Sequence, residues 1–422
     1  MHQRWIVVGS LLAVLIGIGS GLASSLFLIA LEHATDLQAD HPWLLFLLPL
    51  GGAFMAWLYR DFGGTSSGGN NLILDQIHDP AQVGRIPFRM LPLILVSTVL
   101  THLFGGSAGR EGAAVQMGGA ISAAIGRRLH VTSTQLRIAL MCGVSGGFSS
   151  VFGTPIAGTI FGMEMLAIGG MRYEALIPCL IAAIAGDLVV RQFPITHSHY
   201  AITSAIPSLS VETVLQIALA GIAFGLASLA FSESTALVER VGKRLVPNPI
   251  GRIALGGIIV ILVTLLLGTR LYNGLSLPLL HEAFTGEVPT WAFLFKLILT
   301  AITLGVGFKG GEVTPLFVIG ATLGVTLADP LGMPTDLLAA IGFVAVFAAA
   351  ANTPIACVVL AGELFGTQGL VFFAIAIFIA YTISGHRGIY GSQRILAAKD
   401  LRDDSPLVGK TIREIRERTP RS

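Results

Sequence analysis

The side chains best placed to do chemistry are the neighbours Arg110 and Glu111, which sit in the glycine-rich run Gly105-Gly106-Ser107-Ala108-Gly109-Arg110-Glu111-Gly112. The run separates two apolar stretches, Leu91–Phe104 and the segment that begins at Ala113. Charged side chains at membrane depth are costly and mark ion pathways, proton relays or counter-ions. A glycine-rich break lets backbone N–H groups turn towards a cavity, and a helix starting near Glu111 brings the positive end of its dipole to the same place. Such a spot attracts anions. A carboxylate there is a tethered anion that competes with a free one and lets go on protonation. Glu111 is therefore a candidate gate and proton carrier; the plainer reading is that it pairs with Arg110 or caps its own helix. Arg110 is read as orienting the loop.

The elements that hold this pair must be membrane helices. Of 422 residues, 53% are hydrophobic and only 12% charged, with a mean hydropathy of +0.79, against about 25% charged in a soluble domain. A formal net charge of +2 gives no pull towards nucleic acid. The 51 glycines suit close helix packing and broken helices that line a cavity. Cys142, Cys179 and Cys357 lie in apolar stretches without ligand spacing and read as small buried hydrophobes, so neither a metal nor a cofactor is expected.

Trp5–Leu31 is long enough for a tilted first span and too long for a signal-peptide core. An acidic loop, Glu32–His41, is expected to follow, then a second span over Pro42–Tyr59. Arg4 and Arg60 flank these spans and place the N-terminus in the cytoplasm. Gly63–Asn71 is too polar to span and fits a re-entrant segment opening a short helix at Leu72-Ile73-Leu74.

The second half repeats the first. Gly-Leu-Ala-Ser at 21–24 returns at 225–228, and Glu111 and Glu312 are each followed eight residues later by Gly-Ala. Thr154-Pro155-Ile156-Ala157 precedes Glu164 by the interval at which Thr353-Pro354-Ile355-Ala356 precedes Glu363, which favours a shared structural role for the two carboxylates. The loop expected at Arg240–Arg244 is basic where its counterpart is acidic, so the halves enter from opposite sides. The expected fold is an all-α polytopic membrane protein of two inverted-topology repeats, 1–205 and 206–395, with broken and re-entrant helices meeting near the midplane. A short cytoplasmic tail, 396–422, is expected to be partly helical at Gly409–Arg418.

Gly109-Arg110-Glu111-Gly112 together with Gly307-Phe308-Lys309-Gly310-Gly311-Glu312-Val313-Thr314-Pro315 resembles the CLC family of chloride channels and anion/proton exchangers, in order over nearly the whole chain. The resemblance implies a homodimer with one pathway per subunit, anion coordination by helix N-termini, Glu111 as gating glutamate, and an anion-touching tyrosine matched by Tyr390 in Gly388-Ile389-Tyr390-Gly391. Three departures resemble the fluoride-exporting branch, described as fluoride/proton antiporters. Gly68-Gly69-Asn70-Asn71-Leu72 lacks the chloride-contact serine, with Asn70 aligned to it within one residue; Glu164-Met165 lacks the second carboxylate of the chloride exchangers; Gly311-Glu312-Val313-Thr314-Pro315 replaces their Gly-x-Phe-x-Pro.

Fluoride is small and strongly hydrated, so its site must offer short, strong donors. The candidate anion ligands are Gly69, Asn70, Asn71, Gly109, Arg110, Gly112, Ala113, Val313, Thr314 and Tyr390. Thr314 could equally be a backbone cap, Tyr390 an interfacial tyrosine, and Glu312 a helix cap or a partner of Lys309. Phe148 and Phe152 read as packing, and His197-Ser198-His199 as a solvated loop. The expected partners are fluoride, protons, the lipid bilayer and a second copy of the chain, in a multi-pass cell inner membrane protein with both termini cytoplasmic. The rivals are a chloride-type exchanger, a passive anion channel and, from another class, an intramembrane serine protease built on Ser145 of Gly143-Val144-Ser145-Gly146 and His386; a four-residue pattern in a glycine-rich chain is weak support for an enzyme.

Overall fold

In the computed structural model, residues 2–80, 85–197, 200–400 and 405–418 are described. The first half runs α1 (His2–Asp40), α2 (Leu48–Leu58), α3 (Gly69–His78), α4 (Met90–Leu103), α5 (Glu111–Arg128), α6 (Ser133–Phe152), α7 (Pro155–Glu164) and α8 (Leu176–Val190). The second runs α9 (Val211–Leu245), α10 (Pro249–Leu267), α11 (Leu277–Ala283), α12 (Ala292–Val306), α13 (Val313–Leu331), α14 (Thr335–Ala351), α15 (Pro354–Phe365) and α16 (Leu370–Ile383). A two-residue strand, β2 (Arg394–Ile395), lies parallel to β1 (Ala167–Ile168), and the tail adds α17 (Ile412–Arg418). Six helical stretches are long and apolar enough to cross a membrane.

The halves pack alike. α5 lies on α6 as α13 lies on α14, α1 on α8 as α9 on α16, and α6 on α8 as α14 on α16. The closest approaches repeat as well: a Cβ on Gly118 would strike the Gly143 carbonyl, and one on Gly320 the Gly342 carbonyl. Only glycine lets these backbones come so near, which is how helices associate where lipid supplies no hydrophobic drive. Leu11, Leu15, Leu22 and Leu26 of α1 are exposed, as are Leu215, Leu219, Ile222 and Leu226 of α9. Such exposed apolar stripes suit a hydrocarbon surround, in keeping with the fold of a multi-pass membrane protein with two inverted repeats.

Local sequence explains the ends. Thr132 with Gln135, and Ser210 with Thr213, form reciprocal capping boxes at α6 and α9. Pro155 and Pro354 open α7 and α15 at a position where a missing N–H costs nothing. The next N–H groups are met from the other half: Glu164 accepts from Ile355 (3.1 Å) and Ala356 (2.7 Å), and Glu363 accepts from Ile156 (3.0 Å) and Ala157 (2.7 Å). The shared structural role read from the sequence is a reciprocal exchange of helix caps between repeats.

Two expected loops differ. Glu32–Asp40 continues α1, and Arg240–Arg244 forms the last turns of α9, because long helices carry charged ends past the apolar layer without breaking. The tail helix begins at Ile412, since Gly409, with φ of +84°, and Lys410 form a turn that precedes it.

Candidate functional site

The two glycine-rich breaks meet. Gly109 and Gly311 exchange backbone hydrogen bonds, each N–H donating to the other's carbonyl at 2.7 Å. This pairing satisfies backbone groups that would otherwise be orphaned at membrane depth, and it aims the N-termini of α5 and α13 at one another. A Cβ on Gly112 would lie 3.1 Å from Gly311 Cα, and one on Gly311 would lie 2.8 Å from Gly112 N, so both positions must stay small. The first segment is held further by His102 against the Ala108 carbonyl (3.0 Å), by Thr303 Oγ1 accepting from Ser107 N–H (3.2 Å), and by the Gly274 carbonyl accepting from Ala108 N–H (3.3 Å). The buried Lys296 ammonium donates to Gly274 O (2.8 Å), Tyr272 O (3.2 Å) and Ser276 Oγ (2.9 Å), and so fixes that supporting loop.

Glu111 is 1% exposed and reaches across to the other repeat. Its Oε1 accepts from the Thr314 hydroxyl at 2.6 Å, and its Oε2 from the Thr314 N–H at 3.1 Å and the Arg110 N–H at 3.2 Å. Arg110 Nε stands 3.6 Å from Oε1. The carboxylate therefore occupies the N-terminus of α13, where first-turn N–H groups lack helical acceptors. Such a helix N-terminus attracts anions.

Two cavities lie at this junction. A small one of about 30 Å³, room for one or two waters, is lined by Arg110, Glu111, Thr314, Phe152, Phe317 and Phe343. A larger one of about 510 Å³ is lined by Gly69, Asn70, Asn71, Gln116, Glu312 and Tyr390. Its wall also carries Lys243, Arg252, Lys309 and Arg416 against Glu239 and Glu312, an excess of positive charge. Lys243 pairs with Glu239 at 2.5 Å, whereas the Arg252 guanidinium bonds only neutral carbonyls among the described residues, Val306 O at 3.2 Å first.

The expected ligands are thus distributed over the two sides. Arg110 and Thr314 face the small cavity, Gly69, Asn70, Asn71 and Tyr390 the large one, and Gly109, Gly112, Ala113 and Val313 form the helix ends between. The Asn70 Oδ1 is buried without a partner among the described residues. Asn71 Oδ1 is occupied by the Ser392 N–H at 2.9 Å, and the Ala113 N–H by the Arg110 carbonyl at 3.2 Å. Met165, at the position of the missing second carboxylate, is fully buried and its carbonyl accepts from Gln393. Lys309 lies over the Tyr59 ring, 4.4 Å from its centroid.

Phe148 is a packing residue, stacked on Phe161 with centroids 4.3 Å apart. Phe152 packs on Phe317 and also reaches the small cavity, a double role its helical spacing did not reveal. Ser145 is buried against Gly158 and Gly162, while His386 accepts from the Lys399 N–H. Of His197-Ser198-His199 only His197 is among the described residues, and it packs on Gly153. Gln116, Phe317, Phe343 and Arg416 had no motif to mark them.

A family profile described as voltage gated chloride channel matches residues 51–385. The chain belongs to this family. Its relatives include a chloride/fluoride channel protein of Pseudomonas syringae pv. tomato, 45% identical over 93% of this chain and 86% of the relative. A voltage-gated ClC-type chloride channel of Escherichia coli is 27% identical over 83% of this chain and 85% of its own. Among solved structures, a CLC-type fluoride/proton antiporter superposes with a TM-score of 0.89 at 35% identity, covering 92% of this chain and 98% of that one. A slow cyanobacterial Cl⁻/H⁺ antiporter, at 20% identity, shares the fold with a TM-score of 0.77 over 89% and 94%. As a member of the family, the chain is an integral multi-pass membrane protein among channels and transporters.

Proposed function

We propose that this protein exports fluoride from the cytoplasm in exchange for protons, with Glu111 as the gating and proton-carrying carboxylate. The observation that carries the reading is the Glu111 carboxylate lodged at the N-terminus of α13 with 2.6 Å and 3.1 Å bonds to Thr314. Ionised, it fills the anion position; protonated, it loses most of its hold on those donors, swings away, and an anion takes its place. The donors left behind are the Thr314 hydroxyl and N–H and the Arg110 N–H, with the helix-end N–H groups of Gly112 and Val313 and the amide and phenol of Asn70 and Tyr390 as further candidate ligands along the pathway.

Fluoride as cargo is favoured by the names of the relatives at 45% and 35% identity and by the donor-rich lining, which suits a small, strongly hydrated ion. The proposed division is 1–205 and 206–395 for the repeats and 396–422 for the tail. The chain would act as a homodimer in the cell inner membrane, both termini cytoplasmic, the large cavity opening inward. Hydrogen fluoride enters cells as a neutral acid and ionises inside, so such an exporter confers fluoride resistance. A chloride exchanger or passive channel is the competing reading, since the chain shares its fold with chloride-named members. Ion-selective electrodes on loaded proteoliposomes decide between them: fluoride efflux at least tenfold faster than chloride is expected, and equal or faster chloride efflux overturns the fluoride assignment.

A further inference from the structure

The tail packs against the segment that carries Tyr390. Tyr390 lies in a segment without helix or strand, Arg387–Gln393, so its position depends on what grips the backbone around it. The body grips it through the Ile389 N–H on Ala350 O (2.9 Å), the Asn352 amide on Arg387 O (3.0 Å) and the Ser392 N–H on Asn71 Oδ1 (2.9 Å), and further grips come from the tail. Arg416 Nη2 donates to the Gly388 carbonyl at 3.1 Å, two residues before Tyr390. After it, the Arg413 N–H donates to Gly391 O at 2.8 Å, the Arg413 guanidinium to Ser392 Oγ at 2.9 Å, and the Ile412 N–H to Gln393 O at 3.1 Å. α17 therefore holds the tyrosine segment on both flanks.

The grip is anchored on both sides. Ile412 is fully buried with Ile168 and Ile395 in a small apolar cluster of its own. Gln393, also fully buried, donates to Met165 O (3.0 Å) and Ala351 O (2.9 Å), so the residue that accepts from Ile412 also ties the ends of α7 and α14 together. Glu233 of α9 lies 3.4 Å from Arg416 and 3.6 Å from Arg387, one carboxylate between two guanidinium groups. The Arg416 side chain is 19% exposed and forms part of the same cavity wall as Tyr390, Asn70 and Lys309. An anchor that only kept the tail on the body would need the buried isoleucine; one guanidinium on the Gly388 carbonyl and another on the Ser392 hydroxyl bracket Tyr390 from both sides.

We propose that the C-terminal tail is a working part of the anion pathway, in which Arg416, with Arg413, sets the placement of the Tyr390 hydroxyl and adds positive charge where a small anion enters. This rests on the reading of Tyr390 as an anion contact. It makes Arg416 a positioning residue, and it gives the tail a route by which anything that lifts α17 would slow transport.

The test is a double-mutant cycle on the full chain in proteoliposomes, with Arg416→Gln, Tyr390→Phe and both together. Arg416→Gln is expected to slow fluoride efflux about fivefold, the scale of one ordinary net hydrogen bond, and to narrow fluoride-over-chloride discrimination in the direction that Tyr390→Phe does. The double variant is expected to be no slower than Tyr390→Phe alone, because both act through one group. Arg416→Lys, which keeps the charge and one donor, should fall between. Glu233→Gln loosens Arg416 without removing it and should shift discrimination the same way by less, which keeps the proposal open to test if Arg416→Gln does not fold. Wild-type rate and discrimination in Arg416→Gln and Glu233→Gln, or effects that multiply with Tyr390→Phe, would overturn it. An inert Tyr390→Phe would remove the premise and the proposal with it, while leaving fluoride/proton exchange by Glu111 standing.

Discussion

At the scale of single residues, the account turns on how firmly Thr314 holds Glu111. Its hydroxyl and N–H both bond the carboxylate, at 2.6 Å and 3.1 Å, and a hydrogen bond to a charged group contributes about 1.5–3 kcal/mol. Both bonds tether the carboxylate at the N-terminus of α13, and the same hydroxyl is a donor for the anion that replaces it. Thr314→Val removes that hydroxyl and is expected to slow fluoride efflux about tenfold, while Thr314→Ser stays near wild type. Efflux from loaded proteoliposomes reads this directly, and a wild-type rate in Thr314→Val contradicts the assignment. Much of this site was legible in the sequence. The run around Glu111 announces a charged break at membrane depth, and the matching break at Gly310-Gly311-Glu312 announces its counterpart. That Glu111 would bond Thr314 was not legible, because 203 positions separate them and a spacing pattern says nothing of which side chain crosses between repeats.

At the scale of elements, the two Thr-Pro helices exchange caps through Glu164 and Glu363. Each carboxylate satisfies two N–H groups at the positive end of a helix in the other half. Glu164 is 6% exposed and Glu363 only half-buried. A neutral replacement keeps one oxygen acceptor and loses the charge, so Glu164→Gln should cost about 1–3 kcal/mol and Glu363→Gln less. Thermal unfolding of the detergent-purified variants is expected to rank them in that order, with fluoride selectivity retained in both; the reverse order would mean that the caps do not govern stability. The equal intervals from Thr-Pro to glutamate showed that these carboxylates shared a role, but not that each serves the other's helix. Helix lengths misled for a different reason. Charged residues at 32–40 and 240–244 look like loops when hydropathy alone is read, yet a helix emerging into water can continue without penalty.

At the scale of the whole molecule, the inverted repeats bring two helix N-termini to one point and place a cavity of about 30 Å³ and one of about 510 Å³ around it. The repeat itself was readable from recurring motifs, and so was the membrane class from composition. The docking of the tail was not, because Gln393, Arg413 and Arg416 are ordinary polar residues until the fold surrounds them. The aromatic lining was hidden likewise: Phe152, Phe317 and Phe343 come from three helices, and their spacing within each speaks only of packing. The central claim is that one carboxylate alternates with the transported anion and carries the proton. Simultaneous recording of fluoride efflux and internal pH in proteoliposomes, for wild type and Glu111→Gln, tests it most directly. The account predicts fluoride leaving as protons enter in the wild type, able to run against a proton gradient, with proton movement abolished in Glu111→Gln. Fluoride efflux without proton movement in the wild type, or coupling that survives in Glu111→Gln, would contradict it.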